Sequence, residues 1–384
     1  MAKLKSPSIT LSFIEKAASA ITRGDRGVVG LVLTDIAQRT FTVTGVSDIP
    51  LDLLDENQQL ILDALKGYTQ APLRVKVFVM AKAEDMASAY ADAERYFATE
   101  QVDYVAFTSA VTDTKAEALA TWVKGLRDNY HSKIKLVVPY AADCEGVIDW
   151  ESTLTRTTAS TDSKTGKVTV TRTSVVPEKG CARIAGLLAG TGLTLSATYA
   201  KLTDFADVDR LDPDALDTAV GAGKLVAFWD DDAVKLDRAV NSLQTTTDVK
   251  GDSFKKIKIV EDMDLMQYDI RKTIKDDYIG KYANSYDNKL LLVTAINAYF
   301  KGMVDSGVLS AGTCEIDVDA QKDYLKGLGK PVVIPQANGM AETKDIDKCT
   351  DMDIKKANTG SHVFLRATVS ILDAIEDVTL PISI

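Results

Sequence analysis

Apolar and polar positions recur with two different periods along this chain, and the switches between them mark its organisation. Val28 to Leu33 (VVGLVL) is an apolar strand, and Phe41 to Val46 (FTVTGV) predicts a second. Leu53 to Leu65 has helical spacing and stops at Gly67. Three valine-rich runs then follow, Leu73–Met80, Asp103–Thr108 and Lys133–Tyr140, separated by helical patterns over Glu84–Thr99 and Asp113–Asn129. Valine-rich strands alternating with helices predict parallel βαβ units covered on both faces.

The rhythm breaks at Glu151. ESTLTRTTAS and KVTVTRTSVV flank TDSKTG, which predicts an exposed, Thr-rich hairpin over residues 151–176, turning near Lys164 to Gly166. Helices are expected at Pro177–Ala189 and Pro213–Ala222, and a buried strand at Lys224–Asp230. In the last third, Met263, Met266, Ile270 and Ile274 form one face of a helix running to Ile279 and stopped by Gly280. A second helix, capped by Asp287, carries Leu292, Ile296, Tyr299 and Met303 as a stripe and ends at Gly307. A short strand at Glu315–Ala320, a lysine-bearing helix at Gln321–Leu328 and a strand at Pro331–Pro335 complete this region.

Strand-like alternation also marks both ends. Ile9, Leu11 and Phe13 share one face, followed by a short helix at Ile14–Ala20. Near the other end, Val363, Leu365, Val369 and Ile371 face one way and Arg366, Thr368 and Ser370 the other. The phase then changes, and Val378, Leu380, Ile382 and Ile384 form a new apolar face. A strand cannot swap faces without a bend, so Asp373–Asp377 (DAIED) reads as a joint between two strands. Two readings stand for these ends: each closes a sheet of its own domain, or each is exchanged with another subunit.

Composition narrows the class. With 46% apolar and 26% charged residues among 384, the chain can bury a large core and is long enough for two or three domains. A net charge of −10 argues against general nucleic-acid binding. No apolar run reaches the length of a membrane span, and MAKLKSPS has no secretory signal character, so direct membrane insertion is not expected. Cys144, Cys181, Cys314 and Cys349 lack CxxC spacing, and His131 and His362 belong to no ligand pattern.

Three stretches invite an enzymatic reading. GAGK (Gly221–Lys224) lacks the earlier glycine of a phosphate loop, and its lysine opens a strand, so a glycine turn after a helix is expected. AGLLAGTG (Ala185–Gly192) sits at the end of a helix, which suits close helix packing better than a dinucleotide loop. Asp230–Asp232 is expected to be a solvated turn. No constellation for catalysis is complete and no cofactor is expected; the alternative is an α/β enzyme binding a nucleotide or metabolite on the Leu73–Tyr140 repeat.

The run from VNSLQTTT through YIGKYANSYDNKLLLVTAINAYFKGMVDSGVL resembles the C-terminal domain of contractile phage tail sheath proteins, chiefly those of Gram-positive phages and phage-tail-like bacteriocins. The YIGK turn (Tyr278–Lys281), the N-x-x-D at Asn284–Asp287 and the long helix ending at a glycine carry it, and SITLSFIEKAASAITRGDRGVVGLVL and AGLLAGTGL add to it. The resemblance implies a structural protein of mixed α/β class. Its expected parts are an N-terminal arm (1–20), an outer α/β domain (21–240) with a βαβα core and the hairpin, an inner α+β domain (241–372) and a C-terminal arm (373–384). It implies six-subunit rings stacked helically around an inner tail tube protein, contacts with baseplate and tail terminator proteins, assembly in the bacterial cytoplasm, and contraction in the mature particle. Under it, Ile9, Leu11, Phe13, Val378, Leu380, Ile382 and Ile384 are inter-subunit strands, and Val363, Leu365, Val369 and Ile371 belong to the accepting sheet. Lys322, Lys326, Lys330, Lys344, Lys348, Lys355 and Lys356 are the candidates to face the tube.

Overall fold

The computed structural model describes residues 21, 26–83, 86–109, 112–161, 165–336 and 339–383. The helix expected at Ile14–Ala20, the strand residues Ile9, Leu11 and Phe13, and Ile384 lie outside the described residues. Two compact units emerge, a larger one holding Gly24–Tyr268 and Leu372–Ile384 and a smaller one holding Asp269–Ile371. The division falls at Tyr268/Asp269, within a helix, and not at the 240/241 boundary expected from the sequence.

The larger unit begins β1 (Val28–Asp35), β2 (Arg39–Val43), α1 (Asp55–Leu65), β3 (Arg74–Ala81), α2 (Ala87–Thr99), β4 (Tyr104–Phe107), α3 (Asp113–Tyr130), β5 (Lys135–Val138) and β6 (Val147–Trp150). It continues with β7 (Leu154–Thr161), β8 (Val168–Val175), α4 (Pro177–Ala189), β9 (Asp207–Val208), α5 (Pro213–Gly221), β10 (Lys224–Leu225), β11 (Ala227–Asp230), β12 (Ala233–Leu236) and α6 (Ile257–Thr273). Seven strands form one sheet in the order β10-β6-β5-β4-β1-β3-β2, parallel throughout except for β2. Alternate residues of β1 enter the cores on the two faces of the sheet, which explains the apolar run Val28–Leu33. Val29, Leu31 and Leu33 pack with Ile61 of α1 and Ile184 and Leu187 of α4. Val28 and Val32 pack on the other face with Phe97 of α2 and Leu119 of α3. Within AGLLAGTG, a Cβ on Gly186 would fall 2.1 Å from the Ala64 carbonyl oxygen of α1, so glycine here sets the approach of two helices.

The expected strand over Lys224–Asp230 is divided. Residues 224–225 end the large sheet, and 227–230 start a separate antiparallel pair, β11 with β12. At the crossing, Ser152 Oγ accepts the Ala227 N–H at 2.8 Å. The Thr-rich hairpin forms as expected, β7 pairing β8 from Leu154↔Val175 to Thr161↔Val168, with only Leu154 and Val175 at its base buried.

One residue of the large sheet predicts a pH effect. Asp149 on β6 is fully buried, and neither carboxylate oxygen has a hydrogen-bond partner. Burial, with the nearby charge of Glu151, pushes its pKa up to about 7. The folded value lies above the unfolded one, so the contribution is whole below about pH 4 and lost as pH rises through 7. Asp149→Asn is therefore expected to raise the melting temperature at pH 8 by the equivalent of roughly 2–4 kcal/mol and to change it little at pH 4. Melts of both proteins across this range check it; a pH-independent difference would refute the assignment.

The smaller unit contains α7 (Tyr286–Asp305), β13 (Leu309–Ile316), α8 (Val318–Gly327), β14 (Val332–Pro335), β15 (Ala341–Lys344), α9 (Asp351–Lys356) and β16 (Leu365–Ile371). The helix α6 starts at Ile257, earlier than its apolar stripe indicates, and leads into a π-turn over Ile274–Tyr278 closed by Ile279 N–H on the Ile274 carbonyl at 2.9 Å. Leu292, Ile296, Tyr299 and Met303 are buried along α7 as expected. Its cap is Ser285, whose hydroxyl accepts the Asn288 N–H at 3.2 Å, and not Asp287, which sits in the first turn where its charge suits the helix dipole. The strand expected at Glu315–Ala320 lies earlier, as β13, because Asp317 caps α8 by accepting the Ala320 N–H at 3.0 Å. Leu325, Val332, Ile334, Ile354 and Ala357 form a separate small core.

Candidate assembly surfaces

Among the described residues, the strand β16 pairs antiparallel with β13 alone. Asn297 of α7 covers the far edge of β13: its side-chain amide donates to the Cys314 carbonyl at 2.9 Å and accepts the Cys314 N–H at 2.7 Å. Cys314 therefore points its backbone groups away from β16, so its partner Ala367 points its own away from β13. The Asp317 N–H to Phe364 carbonyl bond at 3.0 Å fits the same alternation. Leu365, Ala367 and Val369 thus present N–H and C=O groups on an outer edge that no strand of the described residues occupies. Of the residues assigned to the accepting sheet, Val363 precedes the strand, Leu365 and Ile371 are half-buried, and Val369 is exposed. The expected half-buried face is open along the middle of β16.

Beyond β16 the chain is held down. The Leu372 carbonyl accepts from Lys258 Nζ, Lys256 pairs with Asp373 and Glu376, and Arg238 pairs with Asp377. Glu376 is the centre: its side chain is only 5% exposed and accepts from Thr198 Oγ1 at 2.6 Å and Ser196 Oγ at 3.2 Å. Burial lowers the Lys256 pKa, and the hydrogen bonds of Asp373 and Glu376 more than reverse this. The segment read as a joint is therefore a charged anchor on the larger unit. After it, Val378, Leu380 and Ile382 are 79%, 75% and 77% exposed.

The seven lysines divide. Lys344 is held by Glu342 at 3.3 Å and Asp353 at 3.1 Å, and Lys348 lies 3.6 Å from Asp345. Lys356 lies 6.0 Å from the Tyr286 ring centre, and Lys355 is half-buried. Lys322 on α8 is half-buried, while Lys326 and Lys330 are exposed. The three motifs weighed for chemistry are structural. Gly223 takes φ +77° in the turn after α5, and Lys224 pairs with Glu151 at 3.2 Å. Asp230 pairs with Lys235, and Asp232 lies 3.4 Å from Lys201. Among the described residues no group of three or more His, Cys, Asp or Glu side chains is placed to hold a metal ion.

Comparison with known proteins gives the class of this mixed α/β fold with its parallel sheet. The profile of the phage tail sheath C-terminal domain matches residues 249–384. The tail sheath protein of Clostridium phage phiCD119 is 30% identical over 378 residues, which cover 97% of this chain and 98% of that one. The crystal structure of the sheath tail protein from Desulfitobacterium hafniense superposes with a TM-score of 0.64 at 16% identity, covering 95% of this chain and 100% of that one. The contracted helical sheath of the anti-feeding prophage gives a TM-score of 0.64 at 13% identity, covering 99% of each chain. The chain belongs to the contractile phage tail sheath family, whose members are structural and not enzymatic.

Proposed function

We propose that this subunit polymerises as six-subunit rings stacked helically around an inner tail tube, with neighbours joined by exchanged terminal strands, and that shortening of the polymer drives the tube through the target envelope. The observation that carries the strand exchange is the pairing of an open β16 edge with an exposed apolar segment on an anchored root. Pro381 sets the phase of that segment. It has no N–H to donate, so its side of the strand faces away from the ladder. Val378, Leu380 and Ile382 then turn their backbone groups toward the acceptor, matching Leu365, Ala367 and Val369 on β16.

One such strand binds weakly. Three apolar side chains gain roughly 1.5–3 kcal/mol each on burial, while ordering each residue costs about 1–2 kcal/mol. Each hydrogen bond adds only about 0.5–1.5 kcal/mol. Several arms acting together within a lattice gain from effective concentration, which gives cooperative growth from a stable monomer. In this reading residues 1–20 and 373–384 are the arms, the smaller unit from Asp269 to Ile371 faces the tube, and the larger unit faces outward with the Thr-rich hairpin. Sliding over a tube requires a polar contact, which the exposed Lys326 and Lys330 can supply. Baseplate and terminator proteins bound the polymer, which assembles in the host cytoplasm and functions in the released particle. Negative-stain images of the concentrated protein are expected to contain tubes or stacked rings with six-fold end views. Dispersed monomers at every concentration would reject the proposal.

A further inference from the structure

The smaller unit holds a cavity of about 630 Å³ between the π-turn, the start of α7 and the approach to β16. Its apolar walls include Ile274, Ile279, Tyr282, Leu292 and Val363. Three polar groups in it are poorly satisfied. The Tyr278 hydroxyl and Asn284 Oδ1 are buried without a partner. Lys289, 3% exposed, reaches only neutral oxygens at 3.4–3.5 Å, those of Gln321, Ala357 and Thr359. Burial alone lowers its pKa to about 8, and no carboxylate opposes the effect. The rim is fixed, because Asn284 Nδ2 donates to the Gly360 and His362 carbonyls at 2.8 and 2.9 Å. An apolar cavity with a buried, unpaired ammonium is unfavourable by itself and complementary to an apolar segment bearing one carboxylate.

The two arms differ in this respect. After Asp377 the C-terminal arm reads VTLPISI and carries no acidic side chain, whereas the N-terminal segment carries Phe13, Ile14 and Glu15 in succession. We propose that this cavity seats the N-terminal segment of a second copy, with Glu15 paired to Lys289 and Phe13 and Ile14 against the apolar walls. The proposal rests on arm exchange between subunits and assigns one arm to one seat.

Lys289→Met, Glu15→Gln and the exchanged pair Lys289→Glu with Glu15→Lys test it in the full chain, by monomer melting and by the concentration at which polymer appears. Lys289→Met removes an unpaired buried charge, so the monomer's melting temperature is expected to hold or rise. Each single variant is expected to need about tenfold more protein to polymerise, the ratio that about 1.4 kcal/mol produces. The exchanged pair is expected to recover most of that loss. Failure of the unaltered chain to polymerise would reject arm exchange itself. If it polymerises, unchanged assembly by both single variants rejects the seat. Loss with Lys289→Met but not Glu15→Gln rejects this occupant, and a lowered monomer melting temperature for Lys289→Met shows that the ammonium is already satisfied.

Discussion

Stopping the chain after Asp377 is expected to abolish polymerisation while leaving the monomer's melting temperature within about 2 °C of the full chain. The residues removed are exposed beyond three-quarters at Val378, Leu380 and Ile382, so the isolated subunit has almost no burial to lose there. The anchor stays intact, because Asp373, Glu376 and Asp377 keep their partners Lys256 and Arg238. Within a polymer the same residues cover the β16 edge, and their loss removes one strand from every junction. Leu380→Asp with Ile382→Asp should act alike, since two carboxylates would enter the contact unpaired. Exchanging Leu380 and Pro381 is the sharper variant. It keeps the composition and turns the proline ring toward the ladder, where an N–H is required. A melting temperature that falls by many degrees on truncation would mean that the segment belongs to its own subunit's core, and exchange would then be abandoned. Glu376→Ala separates root from strand: it should weaken assembly while the arm's apolar face remains.

What could be read from the chain, and what could not, follows from burial. The runs that became β1 and β3 are legible because both faces of their sheet are covered, so apolar residues are continuous. The hairpin of β7 and β8 is legible for the opposite reason, since nearly every position is exposed and threonine dominates. The start of α6 was hidden because Lys258, Glu261, Asp262 and Asp264 are buried charges that interrupt the apolar stripe and imitate a solvated segment. The anchoring of Asp373–Asp377 was equally hidden. The change of strand phase marks a joint there but not what holds it, because the partners Lys256, Arg238, Ser196 and Thr198 lie more than a hundred positions earlier, beyond any local pattern. The edge cap of Asn297 on Cys314 is equally silent, because an asparagine on a helix carries no mark of the strand it will meet.

Those buried charges also set the largest expected loss of subunit stability. Glu261 of α6 accepts Arg26 Nε and Lys135 Nζ at 2.8 Å each and the Tyr104 hydroxyl at 2.7 Å. Lys135, 1% exposed at the end of β5, also reaches Asp264 at 3.1 Å, and Arg127 grips Asp264 with two bonds of 2.7 and 3.0 Å. Burial pulls the Glu261 pKa upward, but the charges of Lys135 and Arg26 outweigh it and hold the carboxyl far below the usual range. Glu261→Ala leaves two buried cations with one partner fewer, and should cost about 3–5 kcal/mol in the larger unit. Because the folded pKa is depressed, the stabilisation is present above the unfolded value near 4.5 and declines as pH falls below it. The variant is therefore expected to melt well below the parent at pH 7, with the gap narrowing at pH 3. Lys135→Met should be nearly as costly, and the double variant less costly than the sum, because each single change strands the other's charge. Strict additivity in that cycle would show that the pair is not coupled. The loss would also be of another kind than that of the arm: Glu261→Ala acts on the monomer and on assembly together, whereas truncation after Asp377 acts on assembly alone.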